Sequence, residues 1–398
     1  MKLILEDYWP SVRLPAICKI STGKWDANHS TKKGKYRFYT CAYEHSYSDT
    51  KRYSGECIIL PGNGANVGEV FFFEGEFDAY QRTYVINDIK IIAKFLFYHL
   101  KLYWKKGTDT KQYGSATNYI RIGNFNEYTL PLPPLPEQHR IVAKIEELFS
   151  ELDKGIANLK KTKAQLSQYK KSFIREKCNI TMIDHNFGSV DTKDGWDEVH
   201  LGDVIDCLDN QRKPVNRKER QKRKGDIPYY GANGIVDTID DFIFNEDLIL
   251  IVEDETFTGR QKPFCYKISG KTWVNNHAHV VKPNDTHKLN LDYLNYSLWY
   301  YPFTPITTGT TGRKKLTKRA LMDAQYTYPP IDLQHNIVQE IESRLSVADK
   351  LEETIDQSLK QSEALRQAVL KTAFEGKLVS QDPNDEPAEV LLERIKIK

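Results

Sequence analysis

Pro133-Pro134-Leu135-Pro136-Glu137-Gln138-His139-Arg140-Ile141-Val142-Ala143-Lys144-Ile145-Glu146 returns 196 residues later as Pro329-Pro330-Ile331-Asp332-Leu333-Gln334-His335-Asn336-Ile337-Val338-Gln339-Glu340-Ile341-Glu342. Extended to Asp153-Lys154 and Asp349-Lys350, the copies share 11 identities in 22 ungapped positions, where average composition gives roughly one or two by chance. The chain is a duplication. Each copy is a proline-stopped loop that opens a long helix, and each follows some 130 residues of different character.

The helices carry the clearest periodicity. A 3,4 spacing runs through Ile145, Leu148, Leu152, Gly155, Leu159, Thr162, Leu166, Tyr169 and Phe173, the seam expected of a coiled coil. Its partner runs through Ile337, Ile341, Leu345, Ala348, Leu351, Ile355, Leu359, Leu365 and Val369. Near its end the best match drifts, Phe173 aligning with Phe374, which predicts a second helix longer by about a turn. At 1.5 Å per residue, some 40 residues span about 60 Å, more than a small domain can cover. Two such helices in one chain are expected to pack on each other in antiparallel fashion.

The two variable regions share a plan. One opens Trp9-Pro-Ser-Val-Arg-Leu14 and the other Trp196-Asp-Glu-Val-His-Leu201. Short helical patterns follow at 14–20 and 201–208. Strand-like runs come next at 36–39, 57–60 and 70–73, then at 242–244 and 248–252, and each region ends with one amphipathic helix, 88–104 or 291–301. The expected fold class is α+β: two mixed α/β domains held apart by a pair of long helices in an antiparallel, pseudo-twofold coiled coil. The boundaries read 1–132, 133–180, 181–328 with a leading linker, 329–378, and a tail 379–398 whose short amphipathic helix reveals no role.

Composition narrows the setting. The chain has 398 residues and a net charge of only +3, so affinity for nucleic acid has to come from local patches. Six scattered cysteines form no CxxC pair, which reads as reduced thiols without a structural metal. No run of 18 apolar residues occurs, and a soluble cytoplasmic protein is expected.

Motifs for catalysis are missing. There is no P-loop and no HExxH, and the Pro-Pro pairs follow Leu132 and Tyr328 rather than the Asn or Asp of an amino-methyltransferase site. Gly62-Asn-Gly64-Ala-Asn-Val-Gly68 superficially matches a dinucleotide fingerprint, but a strand-like run follows it, so no helix N-terminus is there for a pyrophosphate. It reads as a tight turn in a binding loop. Residues 211–224 hold eight basic side chains against one acid, suited to clamping a phosphate backbone. Lys32, Lys33, Lys35 and Arg37 form a smaller basic group. Residues of a kind that reads base edges are Asn63, Gln81, Arg82 and Asn118, then Arg212, Asn233, Arg260, Asn276 and Arg313; Lys213 and Arg217 in the basic run, and Lys314 and Lys315 in a later basic cluster, are further DNA-binding candidates. Asn118 and Lys314 share the 196-residue register.

This organisation resembles the specificity subunit of a type I DNA restriction-modification system. The resemblance rests on the repeated Pro-Pro-Leu/Ile-x-x-Gln-x-x-Ile-Val openings, on the Trp-x4-Leu domain starts, and on Ala373-Phe-Glu-Gly-Lys-Leu378. Asp332-Leu333 departs from the pattern where the first copy has Pro136-Glu137. The resemblance implies two target recognition domains that each read half of a bipartite DNA sequence, a coiled coil made by residues such as Ile145, Leu148, Leu152, Leu159, Leu166, Ile341, Leu345, Leu351, Ile355 and Leu365, and no catalysis in this chain. It implies two methyltransferase subunits and restriction/translocase subunits as partners, with S-adenosylmethionine, ATP and Mg bound on those partners only. Two other classes compete: a stand-alone methyltransferase, which would need its own cofactor loop, and a coiled-coil adaptor, which would show no salt-dependent DNA binding.

Overall fold

The computed structural model describes residues 9–108, 118–182, 188–190, 193–255, 257, 260–309 and 314–397. They form two compact units, residues 1–159 with 357–398 and residues 160–356. Both long helices are present, Leu135–Lys177 and Ile331–Phe374, with 43 and 44 residues. The expected extra turn in the second helix is therefore absent. Phe374 ends its helix one position beyond the equivalent of Lys177, and the 196-residue register runs the full length of both.

In the first unit, Ser11–Arg13 pairs antiparallel with Thr129–Pro131 and closes the variable domain at its base. Lys19–Thr22, Thr83–Asn87, Glu56–Pro61 and Phe71–Glu74 form one sheet in that order. Ser46–Ser48, Tyr36–Tyr39 and Phe77–Ala79 form a second, whose last pair is parallel. The second unit repeats the plan. Asp197–His200 pairs with Gln325–Tyr328, a sheet orders Ile205–Cys207, Ala278–Pro283, Leu248–Val252 and Cys265–Ile268, and another contains the parallel pair Ile227–Gly231 with Lys271–Val274. The central strand Leu248–Val252 is buried throughout, as an uninterrupted apolar run requires.

The short helical stretches after each opening tryptophan are only Leu14–Ile17 and Leu201–Val204, after which the chain turns extended. The amphipathic helix of the first domain is Ala93–Thr108, beginning five residues later than its periodicity suggests, because Asp88 has a φ of 48° that no helix can continue. That of the second is Leu291–Trp299. The strand near 242 is confined to Phe244–Asn245, with Phe242 exposed.

The repeated glutamine anchors each domain helix to its long helix. Gln138 is fully buried; its Oε1 accepts from the Ile92 amide at 3.1 Å and its Nε2 donates to the Pro133 carbonyl at 2.8 Å. Gln334 is buried too. Its Oε1 accepts from the Asn290 amide at 2.8 Å, and its Nε2 donates to the carbonyls of Lys288 and Pro329 at 2.8 and 2.7 Å. One side chain thus satisfies the proline loop and the amide just before the domain helix. The copies differ one residue earlier: Glu137 is buried and accepts from Trp9 Nε1 at 3.1 Å, whereas Leu333 is exposed.

The tail has a visible place. Arg140 makes two hydrogen bonds to the Asp385 carboxylate at 3.2 and 2.7 Å, and the helix Ala388–Ile397 buries Ala388, Leu391 and Ile395 in the core of the first unit.

The helix seam corrects the apolar reading. Buried or half-buried positions on the first helix are Ile145, Phe149, Leu152, Ile156, Leu159, Lys163, Leu166, Lys170 and Phe173. Leu148 is half-buried beside them, whereas Gly155, Thr162 and Tyr169 are exposed. On the second helix the row is Ile341, Leu345, Ala348, Glu352, Ile355, Leu359, Ser362, Arg366 and Val369, while Leu351 and Leu365 are each 51% exposed. Both rows alternate steps of four and three without a break, and they superpose under the 196-residue shift.

Charged seam residues find partners across the helices. Within the second unit, Lys163 meets Asp356 at 2.6 Å, Lys170 meets Asp349 at 2.6 Å and Glu352 at 2.8 Å, and Lys177 meets Glu340 at 2.7 Å. Rising numbers on one helix meet falling numbers on the other, so the pairing is antiparallel. Within the first unit Arg366 pairs with Asp153 and lies 4.8 Å from the Phe149 ring centroid. Truncating a buried seam residue leaves a cavity, whereas truncating an exposed leucine removes little contact. Ile355→Ala is therefore expected to cost about 2–4 kcal/mol and Leu351→Ala under about 1 kcal/mol, measured by urea denaturation.

Candidate nucleic-acid interface

In the first domain, the end of the buried strand Glu56–Pro61 runs into the glycine turn. Gly62 sits so close to the Arg82 carbonyl that a Cβ would lie 2.2 Å from its oxygen, so only glycine fits. The Gly64 amide donates to the Asn118 carbonyl at 2.9 Å and the Ile120 amide to the Gly62 carbonyl at 3.0 Å. Asn66 Nδ2 donates to the Cys41 carbonyl at 2.9 Å, and the Gly62 amide to the Arg82 carbonyl at 2.9 Å. Asn63, Arg82 and Asn118 are thereby gathered into one group of loops, with the glycine run serving as a tight turn.

Gln81 is exposed and donates to Asp26 at 3.3 Å. Lys32, Lys33 and Lys35 are exposed ahead of the strand Tyr36–Tyr39, on which Arg37 lies 4.5 Å from the Phe73 ring centroid. A candidate that sequence did not single out is Tyr43, 69% exposed, with its ring edge-on to Phe71. Its exposure is set by the loop alone, and no periodicity marks it.

In the second domain the basic segment is ordered. Residues Arg217–Arg220 make one helical turn capped by Asn216. Arg220 bonds Asp237 at 2.8 Å and lies over the Tyr229 ring, while Arg223 bonds Asp240 and lies over the Trp273 ring. Lys213, Arg217, Lys218, Lys222 and Lys224 remain exposed, a cationic row available to phosphates. Arg212 is committed inward: its side chain is only 12% exposed, with Asp209 at 3.1 Å and Glu253 at 2.6 Å.

Arg260 donates to Asn233 Oδ1 at 2.7 Å, which joins two of the candidate residues, and Asn276 is exposed in a turn. Lys314–Lys315 pairs with Asp254–Glu255, and Lys315 reaches Glu253 at 3.2 Å. Arg313 lies outside the described residues. Exposed Ile235 and Val236 add an apolar element on the hairpin strand Gly234–Ile239.

An ion-pair network beneath these loops was not legible in the sequence. His279, 1% exposed, has Nδ1 at 2.6 Å from Asp209 Oδ2 and Nε2 at 2.8 Å from the Leu316 carbonyl oxygen. A carbonyl only accepts, so Nε2 carries a proton. Asp209 also accepts from the Val280 amide at 3.0 Å and faces Arg212, so it stays ionised and accepts a hydrogen bond from a second ring proton, on Nδ1. Burial opposes charge on His279, but the bond to Asp209, the contact with Cys207, the Asp209 charge and the Leu316 carbonyl together outweigh it and raise the pKa from 6.5 to about 9. Burial likewise opposes ionisation of Asp209, and His279 reverses that, holding it below its ordinary value. Cys207, Asp209 and His279 lie within 4.8 Å of one another, but with both ring nitrogens protonated they form an ion pair rather than a ligand set.

Residues 6–168 and 193–361 match the model of the type I restriction modification DNA specificity domain. The chain belongs to that family. It is 25% identical over 429 residues to the Type I restriction enzyme EcoDI specificity subunit of Escherichia coli, covering 98% of this chain and 94% of that protein. A putative type I restriction enzyme specificity subunit of Haemophilus influenzae is 37% identical over 138 residues, 35% of this chain and 34% of its own. The HsdS subunit from Thermoanaerobacter tengcongensis has a similar fold, with a TM-score of 0.56 at 17% identity, covering 93% of this chain and 97% of that one. A chain solved in a study of complex assembly and conformational transition of the type I R-M system gives a TM-score of 0.71 at 18% identity over 93% and 98%. Members of this family are non-catalytic specificity subunits, and so is this chain. Among the described residues no helix is long and apolar enough to cross a membrane.

The two units carry buried histidines of opposite sign. His99 Nδ1 shares a hydrogen bond with the Tyr128 hydroxyl at 3.0 Å, and burial lowers its pKa from 6.5 to about 3. Its contribution is therefore present above pH 6.5 and lost as pH falls below it. The contribution of His279 is full below pH 6.5 and lost as pH rises through about 9, a loss of about 3 kcal/mol at most. Hydrogen exchange of the second unit is expected to accelerate between pH 6.5 and 9 beyond its intrinsic pH dependence, with no such excess in the first.

Proposed function

We propose that this chain is the sequence-reading subunit of a type I restriction-modification complex, with each variable domain reading one half of an asymmetric bipartite target. The observation that carries this reading is the shared frame. Two helices of 43 and 44 residues, in one unbroken heptad register, each begin at a glutamine-clamped loop joined to a variable domain. What differs is the recognition loops, with a glycine turn, neutral amides and a small lysine group in one domain and a longer exposed cationic row in the other. Different surfaces favour different half-sites. The resident partners in this reading are two methyltransferase subunits, which flip and methylate adenine, and restriction/translocase subunits, in the cytoplasm. S-adenosylmethionine, ATP and Mg belong to those partners.

Exchanging residues 1–132 for the corresponding domain of another such subunit is expected to change one half-site only, as read by sequencing methylated adenines. Alteration of both halves, or of neither, would sink the modular reading. Helix length would set the gap between the halves. Adding seven residues after Leu159 and seven after Leu359 keeps both seams in phase and lengthens the pair by about 10 Å, or about three base pairs. The methylated motif should then show a longer spacer with its halves intact.

A further inference from the structure

The two domains hold one loop in the same place by different chemistry. In the first, Ile86 pairs with Ile20 and Ile58; in the second, Val281 pairs with Cys207 and Ile249. Two residues before these on the same strands stand Tyr84 and His279. The Tyr84 hydroxyl donates to the Ile120 carbonyl at 3.4 Å, and His279 Nε2 donates to the Leu316 carbonyl at 2.8 Å. Ile120 and Leu316 are themselves equivalent: their amides donate to the carbonyls of Gly62 and Glu253, at 3.0 and 2.9 Å. A side chain at one strand position thus ties down the loop that follows the domain helix in both units.

In the second domain that tie is ionic and reaches further. Asp209 begins the turn Asp209–Gln211 that leads into the basic segment. Glu253 Oε2 lies 4.0 Å from His279 Nδ1 and binds Arg212, while Glu253 Oε1 binds Lys315. Cys207 approaches from the edge strand Ile205–Cys207. The imidazolium and the Arg212 guanidinium are both packed against the two carboxylates, and His279 is almost wholly shielded from solvent.

We propose that the doubly protonated His279, held between Asp209 and the Leu316 carbonyl, is the positioning residue of the second recognition domain. It fixes the start of the basic segment and the Lys314–Leu316 loop to one end of the sheet, and so sets how that domain meets DNA. This rests on the functional reading above. The neutral Tyr84 makes the first domain independent of the same charge.

In full-length protein labelled with [15N]histidine, one of the ten imidazoles is expected to keep both N–H groups at pH 8; loss of all such signals by pH 7.5 overturns the proposal. His279→Gln, expressed with the methyltransferase partners, should lower discrimination at the second domain's half-site at least tenfold and leave the first half-site intact. His279→Lys, which keeps a cation, should retain more of it. Unchanged reading in H279Q, or equal loss in both variants, overturns the proposal. If H279Q does not fold, the wild-type complex decides: discrimination should fall between pH 7.5 and 9.5 at the second half-site alone, and parallel behaviour of both half-sites overturns the role. A wild-type chain giving no bipartite motif would overturn the functional reading while leaving the imidazolium result standing.

Discussion

A buried primary amide is costly unless both of its ends are bonded, and Gln138 and Gln334 are bonded at both ends inside the protein. Each glutamine closes the proline loop from which its long helix starts and receives the amide at the head of the domain helix. Rotating either helix about its axis would pull the amide from its partners. The clamp therefore fixes the phase at which each long helix leaves its domain, and everything downstream in the heptad inherits that phase.

The seam that follows is only partly apolar. Lys163, Lys170, Glu352 and Arg366 occupy positions that geometry assigns to the interface, while Leu351 and Leu365 beside them face outward. Charged pairs across partly exposed positions add little stability each. The leucines, isoleucines and phenylalanines supply the cohesion.

The domains show how one framework supports two surfaces. The strand order of their main sheets and the parallel pair of their second sheets are the same, yet the loop after the central strand is Gly62 in one and Glu253 in the other. Where the glycine admits a close backbone approach, the glutamate admits an arginine, a lysine and a protonated histidine nearby. Low local dielectric makes that network strong when complete and expensive when one member is lost.

The duplication, the helices, their antiparallel pairing and the central strands were all legible in the chain, because each is written in local periodicity or in repetition. The seam was legible only to within one residue. Hydrophobicity favoured Leu351 over Glu352 and Leu365 over Arg366, and nothing local says that Lys170 or Asp153 waits across the interface. The basic run at 211–224 was visible, but not that Arg212, Arg220 and Arg223 are spent on internal acids. His279 lay in an apolar strand 70 residues from Asp209, and only tertiary packing brings the two within hydrogen-bond reach. Sequence determined which segments repeat and what period they keep, since those depend on neighbours along the chain. Tertiary structure alone decided which charges are buried together, since that depends on neighbours in space.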